Sequence, residues 1–160
     1  MDISEVEIES PEGVNVIIGY SHFIKTVEDL NEIIKTVIPN CEYAVVFSEA
    51  SGDKLIRFEG NNRELIDAGI NNIKNISAGH TFIIMLKNAF PISILPQLKM
   101  SQEIGTIYAA TANPLKVIIA KTEKTNAIIG VADGYSPVGI ESDADKNKRR
   151  KFLRDIGYKS

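Results

Sequence analysis

The sequence predicts a single α+β domain in which a mixed β-sheet carries helices on one side. Three observations support this class. The chain has 160 residues, and this length suits one domain over residues 1–160 rather than two. Strand-like and helix-like segments alternate irregularly, so the regular strand–helix repeat of a doubly wound parallel sheet is missing. Neither the GxGxxG turn of a Rossmann fold nor the GxxxxGKS/T loop of a P-loop fold occurs, which argues against both folds.

The first forty residues predict two strands and a helix. Apolar and polar residues alternate loosely over 2–10, and the β-branched run 14–19 follows a turn. Over 26–38 the apolar residues recur at helical spacing and share one face. Thr26 and Asp29, three residues apart at the start of this segment, resemble a capping box. We therefore expect the first helix to begin soon after the second strand ends.

The next segment predicts a hairpin, a helix and another strand. Residues 42–60 contain two strand-like runs around the tight turn 51–53. Asn62 is a favourable N-cap for a second helix, and Gly79 is expected to close that helix. The apolar run 80–87 then predicts a strand.

The remainder of the chain predicts a short helix, three strands and a terminal helix. The short helix covers 90–99, with Pro91 in its first turn. Turn residues separate the three strands, which we expect at 105–112, 114–123 and 126–133. The terminal helix covers 143–158, and its expected apolar contacts are Phe152, Leu153 and Ile156.

Charge and cysteine content narrow the class of protein. The net charge of −3 gives no reason to expect a nucleic-acid partner, and the basic tail fits a solvated helix. Cys41 is the only cysteine, so a disulfide within the chain is impossible and a reducing cytoplasm is the simplest location. One cysteine and two separated histidines do not make a zinc site, so no structural metal is expected. No apolar run approaches the roughly 20 residues that a membrane span needs.

The segment GYSHFIKT contains the best candidate for chemistry. His22 follows a predicted strand and precedes a predicted helix, whose first N–H groups favour an anion. Ser21 adds a hydroxyl and Lys25 adds a positive charge. A neutral imidazole is able to attack a phosphoryl group, so His22 suits a nucleophile or a phosphate ligand. The alternative is a half-buried structural histidine. For His80, packing at a turn or strand end is the simpler role.

Polar residues at other predicted strand ends are further candidates, because ligands often bind where strand ends meet. Glu49 could contact a ligand, or it could simply belong to the turn of a hairpin. Lys87 could contact a phosphate, or it could be a solvated lysine in a loop. Thr111 and Asn113 suit recognition of a ribose or base, or closure of a turn. Asp133 suits Mg²⁺, although Asp–Gly is also ordinary turn sequence.

Five long blocks, taken together, resemble the adenosine-specific kinase family over about residues 13–158. The blocks are GYSHFIKTVEDL, FSEASGDKLIRFEGN, AGHTFIIMLKNAFPISIL, ATANPLKVIIAKTE and GVADGYSPVG. The resemblance implies binding of adenosine and its phosphates, kinase activity and a stable phosphohistidine. It also implies trimers, sometimes paired, with sheets packed about the threefold axis. His22 matches the position for the phosphohistidine, and His80 is the one other histidine.

Residues and resemblance together predict an adenine-nucleotide-binding phosphoryl transferase that uses ATP or AMP as ligand, with Mg²⁺ accompanying ATP. The alternative is a non-catalytic AMP/ATP-binding sensor or regulatory oligomer. In the first case His22 accepts the phosphoryl group. The supporting residues are Ser21, Lys25 and Lys87 for phosphate, Glu49, Thr111 and Asn113 for the nucleoside, and Asp133 for the metal.

Overall fold

The computed structural model describes all residues, 1–160, and contains eight strands and four α-helices. The strands are β1 (Ile3–Glu7), β2 (Val14–Ser21), β3 (Glu42–Ser48), β4 (Ile56–Gly60), β5 (Thr81–Lys87), β6 (Ile104–Thr111), β7 (Leu115–Lys121) and β8 (Asn126–Asp133). The helices are α1 (Thr26–Val37), α2 (Arg63–Ile76), α3 (Leu95–Met100) and α4 (Asp143–Asp155), and a 3₁₀ turn spans Pro91–Ser93. Every strand and helix predicted from the sequence is present.

The strands form two sheets. The larger sheet has the order β4-β3-β5-β2-β6 and the smaller has the order β1-β7-β8. The α+β class is confirmed, as is the absence of a doubly wound sheet. In place of one mixed sheet, the chain has two sheets in which every pair of neighbouring strands is antiparallel.

Helices cover both faces of the five-stranded sheet, so the prediction of helices on one side was wrong. Residues of β2, β3 and β5 are buried at nearly every position, which requires a covering layer on each face. On one face, Leu30 and Ile34 of α1 lie in a core cluster with Ile17 of β2. On the other face, α2 and the three-stranded sheet share a cluster that includes Ile18 and Val117.

The ends of the first two helices differ from the sequence expectation. Lys25 is the N-cap of α1, and no side chain caps this helix. The Thr26 hydroxyl instead donates to the Phe23 carbonyl, because a tight turn after β2 brings that carbonyl within reach. Asn62 caps α2 as predicted, accepting from the Leu65 N–H at 3.1 Å. Ser77 closes α2 in a left-handed conformation (φ 51°), so the helix ends before Gly79.

The C-terminal helix α4 packs weakly on its own chain. None of its residues is buried, and Phe152 and Ile156 are 59% and 45% exposed, so the chain itself covers these two side chains only in part. Tyr158 provides one contact, with its ring 6.3 Å from that of Phe90. Among the helices, none combines the length and apolar character that crossing a membrane requires.

Close packing at Gly19 makes the site's supporting strand sensitive to one added methyl group. A Cβ atom at Gly19 would lie against the Phe82 ring and 2.5 Å from the Thr106 carbonyl oxygen. We expect Gly19→Ala to lower the free energy of unfolding by about 1–3 kcal/mol, as overpacking does. Gly130→Ala is the matched control, because nothing lies within 4 Å of its added Cβ. Urea denaturation of both variants measures the difference, and equal stability of the two would contradict the packing described.

Candidate functional site

Antiparallel pairing brings both histidines to one end of the five-stranded sheet. β2 and β3 both pair with β5, so their final residues meet the beginning of β5. The His80 N–H donates to the Ser48 carbonyl at 2.8 Å, and the Ser21 N–H donates to the His80 carbonyl at 2.9 Å. His22 and Glu49 follow directly. We call this edge, with His22, Glu49 and His80, the histidine end.

Buried hydrogen bonds hold the segment that carries His22. The Ser21 hydroxyl is fully buried, shares a hydrogen bond with the Thr26 hydroxyl and donates to the Glu103 carbonyl at 3.2 Å. The His22 N–H donates to the same carbonyl at 3.2 Å. Ser21 is therefore engaged in positioning the turn between β2 and α1. Its place in the structure favours this supporting role over direct contact with phosphate.

His22 and Lys25 face the same cavity. The His22 side chain is exposed, and its ring lies 6.4 Å from that of Phe23. The cavity has a volume of about 360 Å³ and is lined by His22, Phe23, Lys25, Gln102 and Glu103. Lys25 also pairs with Asp29 across 3.3 Å. An exposed imidazole, an ammonium group and the first turn of α1 together suit an anionic ligand.

A second cavity opens on the other side of Lys25. It has a volume of about 550 Å³, within the range of small-molecule sites. Its walls combine apolar side chains, among them Ile24 and Phe58, with Arg57 and acidic residues. Phe58 and Ile24 are 44% and 43% exposed, which leaves apolar surface for a planar ligand. Lys25 thus stands between a polar cavity and a partly apolar one.

His80 is held in a strained, stacked position at the histidine end. Its φ of 63° is unusual for a residue with a side chain. The ring stacks on Phe47 with centroids 5.9 Å apart and meets Tyr20 edge-on at 5.8 Å. Burial, and secondly the charge of nearby His22, lowers the pKa of His80 below its usual value. His80 is therefore neutral at neutral pH.

Glu49 lies at the histidine end and also closes the hairpin between β3 and β4. Its carboxylate accepts from the Leu55 N–H at 3.0 Å and from Arg57 at 3.2 Å. These hydrogen bonds, led by that from Leu55, lower the pKa of Glu49. The hairpin role proposed from the sequence is present, and the carboxylate still stands close to the second cavity through Arg57.

Glu103 is a residue that the sequence did not single out. It is 1% exposed, and neither carboxyl oxygen accepts a hydrogen bond from an N–H or hydroxyl group of the chain. Burial, followed by the neighbouring Asp29 carboxyl, raises the pKa of Glu103. Its segment, SQEIG, reads as an ordinary polar turn before a strand. Residues distant in the sequence, among them Lys25 and Asp29 of the α1 region, surround it, so no local signal marks it.

The other predicted residues gather at the opposite end of the sheet. Thr111 donates to the Asp133 carboxylate at 2.8 Å, and the Asn113 side chain donates to the same oxygen at 3.2 Å. Lys87 is the last residue of β5, opposite Val14. Thr111 pairs with Val16, six residues before His22 in an extended strand, a separation of roughly 20 Å.

This separation follows from the direction of the strands. The carboxyl ends of strands share one edge only in parallel sheets. Here β6 runs antiparallel to β2, and β5 does too, so their final residues lie at the edge away from His22. Thr111, Asn113, Asp133 and Lys87 therefore do not join the histidine end within one chain.

The structure offers no ready metal centre at either end. No group of three or more His, Cys, Asp or Glu side chains is arranged to hold a metal ion. Thr111 and Asn113 both donate to the Oδ1 atom of Asp133. Its position does not fit a metal that would serve a phosphate beside His22.

The lowered pKa of His80 predicts a loss of stability in acid. The unfolded chain takes up a proton on this residue at a higher pH than the folded chain does. The contribution of His80 to folding stability is therefore present above its usual pKa of about 6.5. It is lost as pH falls through the lower pKa that this residue has in the folded chain. We expect His80→Asn, which tolerates the backbone conformation, to flatten this part of the pH–stability curve. His22→Asn is the control and should retain most of the loss, since burial is the larger cause. Urea midpoints measured between about pH 7 and pH 5 test this, and identical curves for wild type and His80→Asn would contradict it.

Comparison with known proteins shows a matching fold and a matching family. The structure is similar to the crystal structure of the PH1918 protein from Pyrococcus horikoshii OT3, with a TM-score of 0.94 and 42% sequence identity. The match covers 99% of this chain and 98% of that one. No curated protein matches the chain. The profile of the family described as "Adenosine specific kinase" matches residues 6–159. The chain therefore belongs to the adenosine-specific kinase family.

Proposed function

We propose that this protein binds an adenine nucleoside or nucleotide at the histidine end and transfers a phosphoryl group through His22. The observation that carries this proposal is the shared cavity of His22 and Lys25 at the start of α1. The family description supplies adenosine as the substrate class and a kinase as the reaction class.

The cavity provides what phosphoryl transfer needs from a protein, which is mainly positioning and positive charge. Hydrogen bonds from Ser21 and from the His22 backbone to the Glu103 carbonyl place the imidazole at the cavity. Lys25 adds a cation, and α1 is long enough, at 12 residues, to present a helix N-terminus. These groups attract a phosphate and stabilise the charge that develops on it.

The reaction would proceed in two displacements. A neutral ring nitrogen of His22 attacks the terminal phosphorus of ATP, the N–P bond forms, and ADP leaves as the O–P bond breaks. A hydroxyl of adenosine then attacks the same phosphorus. The new O–P bond forms, the N–P bond breaks, the imidazole is restored, and the hydroxyl proton passes to water. Magnesium enters only as the companion of ATP, where it neutralises phosphate charge, and we assign no residue of the chain to it.

The second cavity is suited to the nucleoside. A phosphate beside Lys25 leaves the ribose and base directed toward Ile24, Phe58 and Arg57. Aromatic and aliphatic walls favour a planar base, and Arg57 or Glu49 offers polar contacts at the edge. Thr111, Asn113 and Lys87 would contact the same nucleotide only if a neighbouring subunit supplied them.

We also propose that the protein is a homo-oligomer, a trimer or a dimer of trimers. The support is the C-terminal segment 134–160, in which Val138, Ile140 and Phe152 lie open to solvent. This segment has seven basic and four acidic residues, whereas residues 1–133 have 11 basic and 17 acidic residues. The segment is thus net positive and the rest net negative, which favours contact between the segment of one copy and the body of another.

Labelling with radioactive ATP tests the proposed reaction. Protein incubated with γ-labelled ATP and Mg²⁺ should acquire acid-labile label that moves to added adenosine, and His22→Ala should stay at the background of denatured protein. His80→Asn is the matched control and should still take up label. Label on His22→Ala equal to that of the wild type would overturn the assignment. Tight AMP binding without any label would favour the alternative, a nucleotide sensor.

Lys25 should contribute to affinity through its charge. We expect Lys25→Gln to weaken AMP binding roughly ten- to hundredfold, since a charge-assisted hydrogen bond contributes about 1.5–3 kcal/mol. Lys35→Gln removes the same charge from the last turn of α1 and should bind AMP as the wild type does. Isothermal titration calorimetry measures both, and an equal loss in the two variants would indicate a general charge effect.

The oligomer should depend on the exposed apolar residues of the C-terminal segment. We expect Phe152→Asp to shift the mass measured by light scattering toward that of the monomer, because a charge replaces a buried interface contact. Asn147→Asp adds a charge to the same helix at an exposed polar position and should keep the assembly. A wild-type protein that is monomeric at micromolar concentration would contradict this proposal.

A further inference from the structure

The Glu103 side chain is the one buried carboxyl group without a hydrogen-bond donor, and it lies beside the candidate phosphate cavity. Its residue lines that cavity together with His22 and Lys25. It also lines an adjoining cavity of about 500 Å³, where Lys25 and Asp29 lie on the α1 side. An ionised carboxylate with no partner is costly to bury, so this position requires a proton or a cation.

The charged groups around Glu103 come mainly from α1. Asp29 is the nearest acid, and it pairs with Lys25 at 3.3 Å. Glu32 adds a second negative charge on the same cavity wall, and His22 is the titratable group from the end of β2. The wall formed by α3 and the turn after it is neutral near Glu103, where Gln97, Ser101 and Gln102 line the cavity. Lys25, already bound to Asp29, is the only cation in either cavity.

We propose that Glu103 is a positioning residue for the phosphate site, which holds a proton shared with Asp29 and thereby couples anion binding to pH. This inference rests on the proposed function, since it concerns the same site. Two carboxyl groups in contact are stable only while one of them keeps its proton. The shared proton lets Asp29 keep its ion pair with Lys25, and it keeps a second negative charge out of the cavity wall.

Loss of that proton should weaken anion binding. Ionised Glu103 would face Asp29 as a like charge and would place a further negative charge close to the phosphate beside His22. The Glu103 backbone also carries the carbonyl that accepts from His22 and Ser21, so movement of this residue would displace the imidazole. Affinity for a phosphate should therefore fall as pH rises above the point at which Glu103 ionises.

Glu103→Gln is the informative variant, because the amide has nearly the shape of the protonated acid, donates to Asp29 and does not titrate. AMP is the ligand, and calorimetric titrations from about pH 5 to pH 9 are made on both proteins. We expect equal affinity at the acid end and wild-type affinity roughly three- to tenfold weaker than that of Glu103→Gln at the alkaline end. Titration of the AMP phosphate is common to both series, so it cancels in the comparison. Superimposed profiles would overturn the proposal.

A measurement without ligand separates this inference from the proposed function. The infrared carbonyl band of a protonated carboxylic acid should be present in the wild type near neutral pH and absent from Glu103→Gln. If the band is absent from the wild type, the shared proton does not exist and the inference fails, whether or not AMP binds. If millimolar Mg²⁺ removes the band, a metal ion rather than a proton belongs between the two carboxyl groups, and the inference also fails. If the band is present but AMP does not bind, the proposed function fails while the protonated pair remains.

Discussion

Burial of both faces of the central strands is the constraint on which the rest of the structure depends. β2, β3 and β5 are apolar at nearly every position, and exposing such surface to water costs about 25 cal/mol per Å². The chain must therefore build two covering layers. α1 and α3 form one layer, while α2 and the three-stranded sheet form the other. His22 lies where the chain leaves β2 to begin the first of these layers, so the site is placed by the need to cover the sheet.

A few polar contacts fix the conformation of the chain between β2 and α1. The turn from β2 to α1 would leave backbone groups unpaired in a buried region, and Ser21, Thr26 and the Glu103 carbonyl satisfy them. Such bonds contribute only about 0.5–1.5 kcal/mol each, but leaving a buried partner unpaired costs more. The same crowding buries the Glu103 side chain against α1. The same packing of α1 therefore both positions the His22 imidazole and buries the Glu103 carboxyl group.

Sequence reasoning succeeded where the interactions are local. His22 and Lys25 are three residues apart, so a strand end followed by a helix start was sufficient to place them together. Asn62 was recognised as a helix cap because capping involves only the next few residues. The positions of Thr111 and Lys87 relative to His22 could not be predicted in this way, because the edge at which a strand ends depends on the direction of its neighbours. Sequence reasoning failed for the faces covered by helices, since continuous burial of a strand does not reveal what covers it.

The sequence by itself determined the α+β class, the strands and helices, the family and the His22–Lys25 pair, because short-range patterns and long matching blocks encode them. Only the tertiary structure decided that His80 and Glu49 join His22, that four other candidates lie at the opposite end of the sheet, and that Glu103 is buried beside the cavity. The physical reason is that strand direction and helix placement are set by burial summed over the whole chain. No single segment carries that information.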